Sequence, residues 1–195
     1  MVDIGAFAAG LSDIPEPQFT DDAVLEYLRE NPVSVASLHP YLYFSAEHYT
    51  RNLILHKSLF DLIAICWDIG QKSRIHNHTN QRCWMAIAYG KVQVQNYRMI
   101  RRDAATQFCE LVPTDRYMID AANPAEVDAD EPIHIVVNPP AFASRAVTLH
   151  IYSRPFDACE IYDLGTNRYE TVQLSNTSES GVLKSDLRCE RMALA

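Results

Sequence analysis

Ile75-His76-Asn77-His78-Thr79-Asn80-Gln81-Arg82-Cys83, with six residues between Cys83 and Gly90, is the stretch on which the reading of this chain turns. In extended backbone, residues two apart project to the same side, so His76 and His78 aim two imidazoles at one point. A later run, His134-Ile135-Val136-Val137-Asn138, offers a third. Neutral imidazole suits iron, zinc, copper and nickel alike, so the spacing indicates a metal site without naming the metal. Taken alone, the same two histidines also fit a loop in which both rings are merely solvated. The rest of the chain decides between these readings.

Outward from this stretch the pattern is β. Phe60 to Asp68 is apolar and broken by Gly70, and the runs Cys83 to Tyr89 and Lys91 to Met99 flank a turn at Gly90. Gln107 to Val112, Arg116 to Ile119, Pro132 to Val137, Ala146 to Ser153, Ala158 to Tyr162 and Arg168 to Leu174 continue the series, separated by Asn, Asp, Pro and Gly. Many short strands and few helices predict an antiparallel sandwich or small barrel. Ahead of them, Thr20-Asp21-Asp22 caps a helix with Val24, Leu25 and Leu28 on one face, ending at Asn31-Pro32. A second short helix is expected over Val33 to Leu38. Residues 1–19, with Gly, Ala and two prolines, receive no element. From Ser175 onward apolar periodicity is lost, which predicts a loop or mobile terminus. The expectation is one domain over 1–195, with a helical segment at 1–45, a β-barrel at 46–174 and a tail at 175–195.

Composition narrows the function classes. The 195 residues suffice for one sizeable core. Seventeen Lys and Arg against 25 Asp and Glu give a net charge of -8, and no basic run exceeds Arg101-Arg102. Nucleic acid and anionic membranes are therefore not expected as partners. No apolar run is long enough to span a bilayer and the N-terminus has no signal-peptide pattern, so a cytoplasmic protein is expected; a monomer is expected as well. The five cysteines (Cys66, Cys83, Cys109, Cys159, Cys189) form no C-x-x-C and no regular spacing, arguing against a disulfide framework or a Cys-rich zinc site.

Read together, H-x-H-x4-C-x6-G and the later H-x3-N resemble the two cupin motifs, with Cys83 standing where the first motif usually carries a Glu ligand. With Tyr49-Thr50-Arg51-Asn52-Leu53 upstream and Thr148-Leu149-His150-Ile151-Tyr152-Ser153-Arg154-Pro155-Phe156-Asp157 downstream, the chain is similar to the cysteine dioxygenase family from about Tyr49 to Asp163. The resemblance implies a mainly β fold, a cupin-type antiparallel β-barrel of jelly-roll type with short N-terminal helices. It implies a non-haem Fe(II) enzyme that uses O2 to convert L-cysteine to cysteine sulfinate. By the same resemblance His76, His78 and His134 match the iron ligands, Arg51 matches the residue that binds the substrate carboxylate, and Tyr49 lines the pocket. Thr148, His150 and Tyr152 match the family's Ser-His-Tyr triad, and Cys83 matches the cysteine that some members join to that tyrosine by a thioether. Three departures stand out: Thr148 in place of Ser, Asn77 in place of the more frequent Asp, and a poor match over Asn80-Gln81-Arg82.

The chemistry is coherent with those residue types. Three neutral imidazoles leave a divalent metal's charge uncompensated and positions open for a thiolate, an amine and O2. That charge favours loss of the thiol proton. Arg51, permanently charged and fork-shaped, suits a carboxylate. Each residue also has an ordinary reading: Arg51 as a surface ion pair, His150 as a hydrogen-bonded core residue, Cys83 as packing. His39, His48 and His56 lack partner spacing and read as structural. Two rival functions remain: a dioxygenase for 3-mercaptopropionate or another mercapto acid, in which Gln usually stands at the Arg51 position, and a cupin that binds metal without this chemistry or serves as a zinc isomerase.

Overall fold

In the computed structural model, residues 1–79, 81–127, 132–184 and 189–191 are described; Asn80 and the far C-terminal residues of the expected tail lie outside them. Helix α1 (Ile4–Ser12) starts where the Asp3 side chain accepts from the Gly5 N–H at 2.7 Å, and it buries Ile4, Phe7, Ala8 and Leu11. That 3- and 4-residue spacing is helical, although the Gly and Ala content of the segment hides it. Helix α2 (Asp21–Glu30) begins at the expected cap, with Thr20 Oγ1 accepting from the Ala23 N–H, and buries Val24 and Leu28. The next element is a 3-10 segment, Val35–Tyr41, rather than an α-helix; Pro40 within it lacks the N–H an α-helix would need.

The strands follow in order: β1 (Tyr43–Phe44), β2 (Thr50–His56), β3 (Asp61–Trp67), β4 (Ile75–His76), β5 (Arg82–Tyr89), β6 (Val92–Asp103), β7 (Phe108–Ile119) and β8 (Ala125–Glu126). After them come β9 (Ile133–Val137), β10 (Ala146–Ser153), β11 (Ala158–Asp163), β12 (Arg168–Gln173), β13 (Ser178–Glu179), β14 (Val182–Leu183) and β15 (Glu190–Arg191). One sheet runs β14-β13-β2-β3-β10-β5-β8; the pairings of a second run β11-β12-β7-β6-β9-β4 and return from β4 to β11. β15 pairs with β1. The result is the mainly β, cupin-type architecture.

β3 and β10 explain how the layers stack. Leu62, Ala64 and Cys66 of β3, with Val147, Leu149 and Ile151 of β10, pack among the helix residues Phe7, Leu11, Val24 and Leu28. The alternate residues Ile63, Ile65, Trp67 and Tyr152 face inward, against Val92, Val94, Ile119 and Val136 of the second sheet. Strands buried on both faces read as unbroken apolar runs, as Phe60 to Asp68 does. Each large aliphatic side chain so buried contributes roughly 1.5–3 kcal/mol. At the β5–β6 turn Gly90 has φ 70°, and a Cβ there would lie 2.5 Å from the Arg145 carbonyl oxygen. A side chain is excluded by both backbone strain and close approach.

Two further segments differ from expectation. Gln107 to Val112 and Arg116 to Ile119 are one strand, β7, continuous through Pro113 because register shifts in its pairing with β6 absorb the proline. The segment after Leu174 is ordered as β13 and β14. β13 runs parallel to β2, with Ser178 opposite Asn52 and the Ser178 hydroxyl donating to Asn52 Oδ1 at 2.8 Å.

Candidate metal centre and substrate cavity

β4 is short and lies between β9 and β11, with His76 opposite both His134 and Ile161. This register is what faces the third imidazole with the first. His78 follows just beyond the strand end. Ring centroids are 4.6 Å apart for His76 and His134, 5.1 Å for His76 and His78, and 4.9 Å for His78 and His134. One ligand atom from each lies within 4.8 Å of the others, and among the described residues the group contains no carboxylate.

The protonation states suit metal binding. Burial and the neighbouring cationic or imidazole groups hold His78 and His134 well below the ordinary histidine range, and burial lowers His76 to about 4. All three rings are neutral at pH 7. His76 Nδ1 is 2.9 Å from the Arg74 carbonyl oxygen and donates to it, leaving Nε2 as the lone pair. His78 is 2% exposed, yet neither ring nitrogen has a hydrogen-bond partner. A buried unsatisfied nitrogen costs about 1–3 kcal/mol. A metal at the centre of the three rings would supply a partner to one of these two nitrogens, so the residues fit such an ion.

Beside the three rings, β10 turns Thr148, His150 and Tyr152 to the interior. The Trp67 indole N–H donates to Thr148 Oγ1 at 2.9 Å; Thr148 Oγ1 and His150 Nε2 are 2.8 Å apart; His150 Nδ1 and the Tyr152 hydroxyl are 3.1 Å apart. Burial keeps His150 neutral and raises the Tyr152 hydroxyl, which stays protonated. Cys83 is the direct cross-strand partner of Tyr152, and its Sγ lies 3.9 Å from His150 Nδ1. Burial also raises the Cys83 thiol.

Arg51, on β2, places its guanidinium carbon 5.4 Å from the centre of the Tyr152 ring. Among the described residues its charged neighbours include no carboxylate; its side chain hydrogen-bonds Tyr152, while its buried Nε has no partner. This removes the surface ion-pair reading. Tyr49 stacks on Trp67 with centroids 4.7 Å apart. Arg51, Tyr49, His76, His78 and Tyr152 all line a cavity of about 650 Å³. His134, Thr148, His150 and Cys83 sit behind that wall.

Sequence reasoning left several contributors without a role. Trp67 shares the inward face of β3 with Ile63 and Ile65, which period-2 alternation makes readable, but its partner Thr148 is 81 residues away. Phe156 packs edge-on against Tyr152 at 5.2 Å, and Cys159 brings a thiol to the cavity wall itself. His48 lines the cavity, and so do Leu174, Ser175 and Thr177 from the segment expected to be a tail.

Comparison with known proteins gives the family. Residues 23–165 match the family model for cysteine dioxygenase type I. The chain is 29% identical over 161 residues to cysteine dioxygenase type 1 of Rattus norvegicus and 28% identical to that of Homo sapiens, covering 82% of this chain and 76% of each relative. Among solved structures, a cupin superfamily protein from Desulfitobacterium hafniense superposes with a TM-score of 0.44 at 12% identity, over 65% of this chain and 93% of its own. No helix among the described residues is long and apolar enough to cross a membrane. The chain belongs to the cysteine dioxygenase type I family, a cupin-fold family of thiol dioxygenases.

Proposed function

We propose that the protein is a cytoplasmic, monomeric, non-haem Fe(II) enzyme that oxidises L-cysteine with O2 to cysteine sulfinate. The observation that carries this reading is a cavity wall that joins the half-buried Arg51 guanidinium, with no carboxylate beside it among the described residues, to a cluster of three neutral imidazoles that also holds no carboxylate. His76, His78 and His134 hold the ferrous ion, which when bound activates the thiol and O2 together.

The remaining work falls to the chain's own residues. Arg51 binds the substrate carboxylate through the N–H groups not engaged with Tyr152, which orients the thiol and amine toward the three rings. Tyr49 and Phe156 wall the cavity and limit water. Tyr152 presents its hydroxyl beside the substrate. When Thr148 donates to His150 Nε2, His150 Nδ1–H donates to the Tyr152 oxygen and leaves the phenolic hydrogen free to point into the cavity. In the opposite tautomer Tyr152 donates to His150. Tyr152 keeps its proton in both arrangements, so reversing the row only changes whether that hydrogen points into the cavity or toward His150, and no buried charge is created. A thioether between Cys83 and Tyr152 would fix the hydroxyl's direction further.

The test is metal content with oxygen uptake. Stoichiometric iron, and O2 consumption yielding cysteine sulfinate, are expected with L-cysteine, and much slower uptake with 3-mercaptopropionate. Faster turnover of the mercapto acid would move the assignment to that substrate. Metal binding with no uptake on either thiol would leave a binding cupin.

A further inference from the structure

We propose that Glu160 is a positioning residue for the metal centre, acting through Asn77, and that this pairing is why the residue between His76 and His78 is an amide. The inference rests on the metal centre proposed above.

β4 ends at His76, so the chain carrying His78 leaves the ladder one residue too early to be held by regular pairing. One main-chain bond and the side chains of Asn77 and Thr79 take over. The Asn77 N–H donates to the Glu160 carbonyl at 3.1 Å, and Asn77 Oδ1 accepts from the Glu160 N–H at 3.0 Å. Because Oδ1 must face that N–H, the amide's orientation is set, and Nδ2 points to the Glu160 carboxylate at 3.1 Å and to the Tyr162 hydroxyl at 3.1 Å. Just beyond His78, Thr79 has φ 54° and its hydroxyl donates to the Ala158 carbonyl at 2.9 Å. The His-Asn-His segment is thereby fastened to β11 on both sides of His78.

The carboxylate is itself held. Arg102 donates to Glu160 Oε2 at 2.9 Å and to Oε1 at 2.5 Å, and the Tyr162 hydroxyl donates to Oε2 at 2.8 Å. The Arg102 guanidinium lies 4.2 Å over the Tyr169 ring. Those hydrogen bonds, the Arg102 pair first, keep the Glu160 carboxyl below the usual carboxylate range and therefore ionised. An aspartate in place of Asn77 would keep the acceptor but turn the donor into a second carboxylate oxygen facing an ionised one at donor–acceptor distance. Like charges that close repel, and the His78 backbone is what must move.

The test is metal affinity in four proteins: wild type, Asn77→Asp, Glu160→Gln and the double variant, titrated anaerobically with Fe(II) and with Co(II), whose visible spectrum reports the ligand geometry. Residues that orient ligands typically alter affinity by about 10–100-fold. Asn77→Asp should fall in that range with an altered Co(II) spectrum, and Glu160→Gln should weaken binding less. In the double variant the donor and acceptor are exchanged, the introduced glutamine amide donating to the introduced aspartate, so both affinity and spectrum should recover. A role in general stability alone would instead make the double variant the worst of the four. Wild-type affinity in Asn77→Asp, or no recovery in the double variant, overturns the proposal. Amide hydrogen exchange over residues 75–79 reads the fastening without metal: faster in Asn77→Asp and restored in the double variant. A wild type that binds no metal while showing this exchange pattern would overturn the metal-centre reading and leave the Asn77–Glu160 lock standing; unchanged exchange would overturn the lock.

Discussion

The indole N–H of Trp67 donates to Thr148 Oγ1 across 2.9 Å, anchoring the outer end of a row that runs through His150 to Tyr152. Thr148→Val keeps the volume but removes the hydroxyl, so the Trp67 N–H and His150 Nε2 both lose their partner in a site closed to water. Each loss is worth about 1–3 kcal/mol, and expressed in the transition state one of them is about tenfold in rate. Turnover with cysteine should fall by at least that factor in Thr148→Val, while Thr148→Ser stays near wild type. Equal rates in all three would show that the row is packing rather than part of the reaction.

Substrate choice should follow Arg51. Removing one partner of a buried charge pair costs on the order of 2–5 kcal/mol, so Arg51→Ala should raise the KM for cysteine by a large factor. Cysteamine, which lacks the carboxylate, should be a poor substrate of the wild type and be little affected by the change. Efficient oxidation of cysteamine by the unaltered enzyme would remove the role given to Arg51.

Cys83 and Tyr152 face each other across β5 and β10. If O2 oxidises the pair during turnover, sulfur joins the phenol ring and the two hydrogens lost pass to the oxidant. Intact mass should therefore drop by about 2 Da after many turnovers, and the loss should be absent in Cys83→Ser and in Tyr152→Phe. A constant mass, with full activity in Cys83→Ser, would reduce Cys83 to core packing.

Stability should weaken in acid. His78, His134 and His150 titrate in the folded protein well below the ordinary value near 6.5, because burial disfavours the charged ring. Above pH about 6.5 the rings are neutral folded and unfolded, and they impose no penalty. Below it the unfolded chain takes up protons the folded chain refuses, so each ring removes up to about 1.4 kcal/mol per pH unit. The urea midpoint of the metal-free protein should fall steadily from pH 7 to pH 5; a flat profile over that window would mean these rings protonate in place.

The parts of this molecule that were legible in its sequence are those whose signal is periodic or chemically exclusive. The inward row of β10 follows from alternation, and His76, His78 and His134 from their residue type and spacing. Helix α1 escaped because Gly5 and Gly10 dilute an apolar spacing that only packing makes visible. β13 escaped for a different reason: Thr177 and Ser178 are buried polar residues stabilised by hydrogen bonds to β2, so no hydrophobic pattern marks them. Trp67 was visible as an inward residue, but its role depends on a partner distant in the chain. The contact between Asn77 and Glu160 likewise spans 83 residues and depends on the register of β4 against β11.

β13 has one more consequence. The Arg51 N–H donates to Thr177 Oγ1 at 3.2 Å, and the Thr177 N–H returns a hydrogen bond to the Arg51 carbonyl at 2.6 Å. The residue assigned to clasp the substrate is thus stitched on its backbone to the segment that leads into β13. Linkage is reciprocal: whatever free energy an occupied clasp lends to keeping residues 177–180 in place, those residues lend back to occupancy. The C-terminal segment is in this sense a gauge of the cavity, its resistance to proteolysis rising as the cavity fills, and a cut after Leu174 would be felt first as a loss of grip on the substrate.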